Sequence, residues 1–119
     1  MRRFSTTITT DSAGAATKLI PIRGRLLSIT YVRTDYDAGV DFTITLETTA
    51  RDVWVESNVN ASTTRSPRAA THDSAGAGAL YAAAGQPVLD YFFCDENLKI
   101  VIAAGGNVKS GVFHVTVED

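Results

Sequence analysis

KIVIAAGGNVKSGVFHVTVE (residues 99–118) is the stretch whose reading decides the fold class. Leu98, Ile100 and Ile102 fall on one face of a first apolar run, and Phe113, Val115 and Val117 on one face of a second. Successive side chains of a strand point to opposite faces, so a period of two marks a strand with one buried face. The Gly-rich segment 105–111 between the runs predicts a β-hairpin that closes a sheet. Its tip is longer than the roughly two to five residues that a hairpin needs. The two runs are therefore read as scaffold, and the tip, around Asn107, Val108 and Lys109, as a candidate contact point.

Outward from this stretch, the alternation recurs. Phe4, Thr6 and Ile8 predict a first strand at about 2–10. DSAGAAT (11–17) is a turn of small residues. Leu19, Ile20 and Ile22 form a short apolar segment broken by Pro21, hence an edge strand or a strand end. RLLSITYVR (25–33) and VDFTITLET (40–48) alternate around TDYDAG (34–39), a run of turn residues, and predict an antiparallel hairpin. Val53 and Val55 mark another strand, with Trp54 on its opposite face. The polar stretch 57–73 is a long loop, and such loops are often functional. The segment 74–87 is rich in Gly and Ala, with room for a single helical turn at 79–84. VLDYFF (88–93) adds a strand. No internal repeat is evident. The expectation is an all-β fold: an antiparallel β-sandwich or small barrel of about seven or eight strands, of Greek-key or jelly-roll type.

At 119 residues the chain forms a single domain, 1–119, and with hydrophobic residues at 45% it is expected to be ordered. A net charge of −2 argues against a nucleic-acid partner, which requires a basic excess. The single cysteine, Cys94, rules out an internal disulfide framework. MRRFSTTITT lacks an apolar h-region, so no signal peptide is expected. No apolar run approaches about 18 residues, so no helical membrane span is expected.

Catalytic constellations are weak. Cys94, His72 and His114 offer a thiol and a base, but their spacing matches no known arrangement. Cys94 reads as a small core or turn residue and His114 as an exposed strand residue. DYDAGVD (35–41) superficially resembles a calcium loop, but the position that should carry a glutamate is Leu46. Asp in a turn that bonds its own backbone explains the residues better. The sequon-like Asn60-Ala61-Ser62 is a chance match. Nothing resembles a Walker loop, a Rossmann fingerprint or a zinc motif, and no cofactor is expected. The small-residue segment 74–87 is read as a contact surface, with Leu80 and Tyr81 as its apolar anchors.

Three blocks, DYDAGVDFTITLET (35–48), PRAATHDSAGAGALYAAAGQPV (67–88) and DENLKIVIAAGGNVKSGVFHVTVE (95–118), resemble small proteins that tailed bacteriophages and prophages encode among their virion-structure genes. The resemblance runs from about residue 24 onward. Gly105, Gly106, Lys109, Ser110 and Gly111 match the family's last block. Leu98 stands where the family carries an arginine, and Ala103-Ala104 replaces a more polar pair. These motifs describe a loop rather than an active site. The resemblance implies a head decoration (cement) protein without enzymatic activity, a β-rich homo-oligomer (dimer or trimer). Such a protein is made in the bacterial cytoplasm and is located on the virion, on the outside of the capsid, with the major capsid protein as partner. A tail or head–tail connector component is the alternative. From another class, a β-sandwich carbohydrate-binding module would use Trp54, Tyr36 and Tyr81. Contacts are expected from an N-terminal arm at 1–12 carrying Arg2 and Arg3, from Arg65 and Arg68 in the long loop, from Leu80 and Tyr81, and from the tip at 107–109.

Overall fold

The structure, a computed structural model, describes residues 1–118. Its strands are β1 (Arg2–Thr9), β2 (Ala16–Pro21), β3 (Gly24–Arg33), β4 (Val40–Leu46), β5 (Asp52–Val59), β6 (Thr63–Arg65), β7 (Arg68–Ala70), β8 (Leu89–Tyr91), β9 (Phe93–Cys94), β10 (Asn97–Ala103) and β11 (Ser110–Glu118). One sheet runs β1-β11-β3-β6, with β9 also pairing β3, and the other runs β2-β10-β4-β5. All pairings are antiparallel. Consecutive strands take equivalent places in the two orders: β1 with β2, β3 with β4, β6 with β5, β11 with β10. This is the antiparallel sandwich that the alternation predicts, with the strand order of a jelly roll. The strands outnumber the expected seven or eight because one edge strand is split into β6 and β9, and because β7 and β8 pair outside the sandwich.

Two expected hairpins are crossovers instead. β10 and β11 lie in different sheets, as do β3 and β4. Alternation reports which face of a strand is buried, not which strand lies beside it. The apolar faces of β10 and β11 are turned toward each other across the core. Sheets pack about 10 Å apart, so the connecting chain must span that gap, and this accounts for the length of 104–109.

The core lies between the sheets. Phe42, Ile44 and Leu46 of β4 and Leu98, Ile100 and Ile102 of β10 meet Leu26, Ile29 and Tyr31 of β3 and Phe113, Val115 and Val117 of β11, all buried. At its centre Phe42 packs edge-on against Tyr31 (4.8 Å between ring centroids), Phe113 (5.1 Å) and Trp54 (5.5 Å), a favoured geometry for aromatic quadrupoles. Here β5 departs from expectation: Trp54 is the inward residue and Val55 is 56% exposed. Trp54 lies opposite the inward Ile44, and cross-strand partners share a face.

Two further expectations are corrected. The segment 1–12 is not a free arm, because β1 pairs with β11 along its whole length, from Arg2↔Val117 to Thr9↔Ser110. The region 79–84 holds no helical turn; Leu80 bridges Pro87 in extended backbone.

At one end of the sandwich Tyr36, in the Asp-rich turn, folds inward and is buried. Its hydroxyl donates to the Ile8 carbonyl at 2.6 Å, and its ring stacks on Tyr31 at 6.0 Å. Burial pushes the Tyr36 hydroxyl pKa well above the usual tyrosine value. Gly111 lies beneath both rings, where a Cβ would overlap Tyr36 and come within 2.9 Å of Tyr31. Tyr31 is equally buried, but its hydroxyl has no hydrogen-bond partner among the described residues. The two tyrosines should therefore respond oppositely to loss of the hydroxyl. Tyr36→Phe is expected to destabilise by about 1 kcal/mol, and Tyr31→Phe to be neutral or stabilising, when both are measured by urea denaturation.

Candidate functional site

The edge of β3 is covered by β6 opposite 29–31 and by β9 opposite 24–25. Between these two pieces the chain leaves the sandwich at 66 and returns at 92. Residues 66–92 form a projecting arm. Its base is the β7–β8 pair, with Arg68↔Tyr91, Ala69↔Asp90 and Ala70↔Leu89.

Beyond the base the backbone closes on itself. Thr71 N–H donates to Val88 O (2.9 Å), Val88 N–H to Ala79 O (2.8 Å), and Ala79 N–H to Thr71 O (2.9 Å). This cycle ties three chain segments together where side chains supply almost no core. Two tight turns leave the junction. In the first, Asp73 Oδ1 accepts the N–H of Ala75 (2.9 Å) and Ala77 (3.0 Å), and Gly76 takes a φ of 85°. The same pentapeptide, DSAGA, recurs at 11–15, where Asp11 Oδ1 accepts from Ala13 (2.8 Å) and Ala15 (3.1 Å) and Gly14 has a φ of 82°. An aspartate that bonds forward to the backbone and a glycine free to adopt positive φ build the same turn twice. The pentapeptide is thus a short internal repeat, contrary to the expectation of none. The second turn closes through Gly85 N–H to Ala82 O at 2.8 Å.

From 74 to 89 the arm carries no charged side chain. Tyr81 is 76% exposed, and Leu80 and Leu89 are about half exposed. Large apolar side chains exposed on an uncharged segment away from the core are a usual mark of an interaction site. Its base is fastened by stacked cations. Arg68 donates to the Leu27 carbonyl (3.2 Å) and the Pro67 carbonyl (2.8 Å) while its guanidinium lies 4.0 Å from the Tyr91 ring centroid. Arg25 sits over Tyr91 (5.0 Å) and Phe93 (5.5 Å) and pairs with Glu118 at 3.4 Å. Phe93 remains 63% exposed. Arg25, Tyr91, Phe93 and Leu89 were not singled out from sequence. The signal was in VLDYFF, which is apolar on both faces and so is not a simple half-buried strand.

The expected contact residues do not converge. Leu80 and Tyr81 sit on the arm, and Arg68 is its fastening. Arg65 is committed to the sandwich: its Nε and Nη2 reach the Glu56 carboxylate at 2.9 and 3.0 Å, and Trp54 Nε1 donates to the same carboxylate at 2.9 Å. These bonds, Arg65's first, hold the Glu56 carboxyl below its ordinary range. Arg2 and Arg3 lie on β1, at the opposite edge of the sheet. Asn107, Val108 and Lys109 belong to a crossover whose backbone is bound to its neighbours. Val108 N–H donates to Asp11 O (3.1 Å), Lys109 N–H to Thr10 Oγ1 (2.9 Å) and Gly105 N–H to Gly14 O (2.9 Å). Asn107 and Val108 are exposed there and Lys109 is half-buried.

Other candidate chemistry is accounted for by structure. Asp35 Oδ1 accepts from Ser110 N–H (2.6 Å) and Asp41 Oδ1 from Asn58 N–H (3.0 Å), so these carboxylates cap backbone. Cys94 is buried, and burial pushes its thiol up to about 11. His72 lies in the arm, while His114 Nδ1 is 2.6 Å from Ser5 Oγ on the outer sheet face, so neither histidine meets the thiol. Tyr36 and Trp54 are core residues, which removes two of the three aromatics of the carbohydrate-binding reading.

Two outcomes are expected. Arg68→Ala loosens the base of the arm, so limited proteolysis should cut within 66–92 several-fold faster while the sandwich keeps its melting temperature within a few degrees. Glu56 has a depressed folded-state pKa, so its stabilising effect is full above 4.5 and lost as pH falls through the folded value. Glu56→Gln should therefore flatten the acid limb of a Tm-against-pH curve below pH 4.5.

No family model, curated protein or solved structure matches this chain.

Proposed function

We propose that this chain is a non-enzymatic structural protein of a bacteriophage virion that binds the outside of the capsid and stabilises the shell. The observation that carries the reading is the arm, an uncharged apolar tip held off a sandwich that is complete without it. A jelly roll is a frequent architecture in virion proteins, which is support by analogy of fold. The resemblance of 35–48, 67–88 and 95–118 to phage virion proteins adds the choice of partner. Of the matched glycines, Gly111 is required by the Tyr31 and Tyr36 rings, and a Cβ at Gly105 would lie 2.9 Å from the Thr10 methyl. Those matches therefore support a shared fold, and the arm supports a shared use.

In this reading Leu80 and Tyr81 enter a hollow on the major capsid protein. Each contact is small, and repetition over a symmetric shell supplies the avidity. Burial of a Tyr and a Leu at the centre of such a contact is the pattern of an interface hot spot.

The test is co-sedimentation with capsids that lack the protein. The wild-type chain should pellet with them and raise their resistance to heat. Leu80→Ser with Tyr81→Ser should weaken binding at least about 30-fold with no fall in the chain's own melting temperature. Binding to tail tubes but not capsids would replace the proposal with a tail role.

A further inference from the structure

We infer that β1 is a self-pairing edge, through which two copies of this chain join antiparallel about a two-fold axis and continue one sheet across both molecules. The site lies at the opposite edge from the arm and does not depend on the capsid reading.

A sheet edge offers a row of unpaired N–H and C=O groups, and proteins that stay monomeric defend such edges with prolines, charged side chains, bulges or short strands. The edges here differ in this respect. β2 carries Lys18 and ends in Pro21. β5 has two register irregularities against β4, and Asn58 within it takes a φ of 60°. The β6/β9 edge is short and interrupted by the arm. Apart from Arg2 and Arg3 at its first end, β1 has none of these defences. It is eight residues long, with unbroken register to β11 and no proline or lysine.

The direction of its backbone groups follows from the ladder. Thr10 N–H donates to Lys109 O at 2.8 Å, in line with the β1–β11 register. In an antiparallel pair, alternate residues point both backbone groups at the partner and those between point them away. Even-numbered residues of β1 therefore face β11, and Arg3, Ser5, Thr7 and Thr9 present their N–H and C=O to the open edge.

The strand is complementary to itself. With the two-fold axis at Thr6, Ser5 lies opposite Thr7 of the second copy, Arg3 opposite Thr9, and Phe4 opposite Ile8. Ser5, Thr7 and Arg3 share the outer face, so hydroxyls meet hydroxyls. The arginines lie at the two far ends of the seam, apart from one another. Phe4, half-buried on the inner face beside a cleft of about 340 Å³ bordered by Pro21 and Ile22, gains cover from the second copy. An isologous contact of this kind closes at two chains.

Light scattering on the full chain during size exclusion, at micromolar concentration and without capsids, is the test. The expected mass is twice 12.7 kDa. Thr7→Pro removes a donor at the seam but none from the β1–β11 ladder, so it should give folded chains of 12.7 kDa with an unchanged far-ultraviolet spectrum. Thr6→Cys provides a measurement independent of that variant. It should crosslink two chains on oxidation, because non-hydrogen-bonded pairs bring Cα atoms to about 4.5 Å, within disulfide reach. A wild-type mass of 12.7 kDa would overturn the inference, as would a Thr7→Pro dimer or a Thr6→Cys chain that does not crosslink. None of these readouts involves capsid binding, so either proposal can fail alone.

Discussion

Because consecutive strands lie in different sheets, the chain must cross a gap of about 10 Å at almost every connection. Only the β4–β5 turn and the arm stay on one side. Crossing segments carry backbone groups over the open end of an apolar core, and those groups need partners. They find them in one another. The crossover 104–109 bonds to 10–14 on one side, and Asp37 N–H donates to Gly105 O at 3.0 Å on the other. The backbones approach so closely that Gly14 has no room for a side chain: a Cβ there would lie 2.9 Å from the Gly106 backbone nitrogen. The Tyr36 hydroxyl, bonded to Ile8 O, closes the same end from within.

The arm obeys a different economy. Two-stranded elements are marginal alone, and 66–92 buries little besides Phe92. Its order rests on backbone: the Thr71–Ala79–Val88 cycle, the Asp73 turn, and the Arg68 clasp on Leu27 and Tyr91. Such an element opens more readily than the sandwich that carries it. A surface of alanine, leucine and tyrosine with few fixed contacts is well suited to settling against a partner.

Much of the sandwich was legible because burial on one face imposes alternation, and alternation survives in sequence. The inward sets of β4, β10 and β11 could be read residue by residue. Neighbour relations could not, since a hairpin and a pair of facing strands show the same period. Trp54 was misplaced because two valines outweighed one indole in the pattern, although the indole has more area to bury. Tyr36 was hidden among aspartates that mark a turn, and nothing local shows that the turn folds over the core. In the arm, Leu80 and Tyr81 stood out as apolar anchors in a small-residue setting. Arg65 and Arg68 looked like free loop charges, and only the folded chain brings Glu56, Leu27 and Tyr91 to them.

The split edge strand has one more consequence. β6 and β9 lie on one line along β3, separated only by the stretch opposite 26–28. A bridge of about three residues spans that distance in extended chain, at roughly 3.3 Å each. The arm is thus a cassette whose two ends are adjacent on a rigid rail. Its outer part, 71–88, can be lengthened, shortened or exchanged while Ala69 and Phe92 stay packed on the core, so one scaffold can acquire new binding specificities by replacing a single contiguous segment.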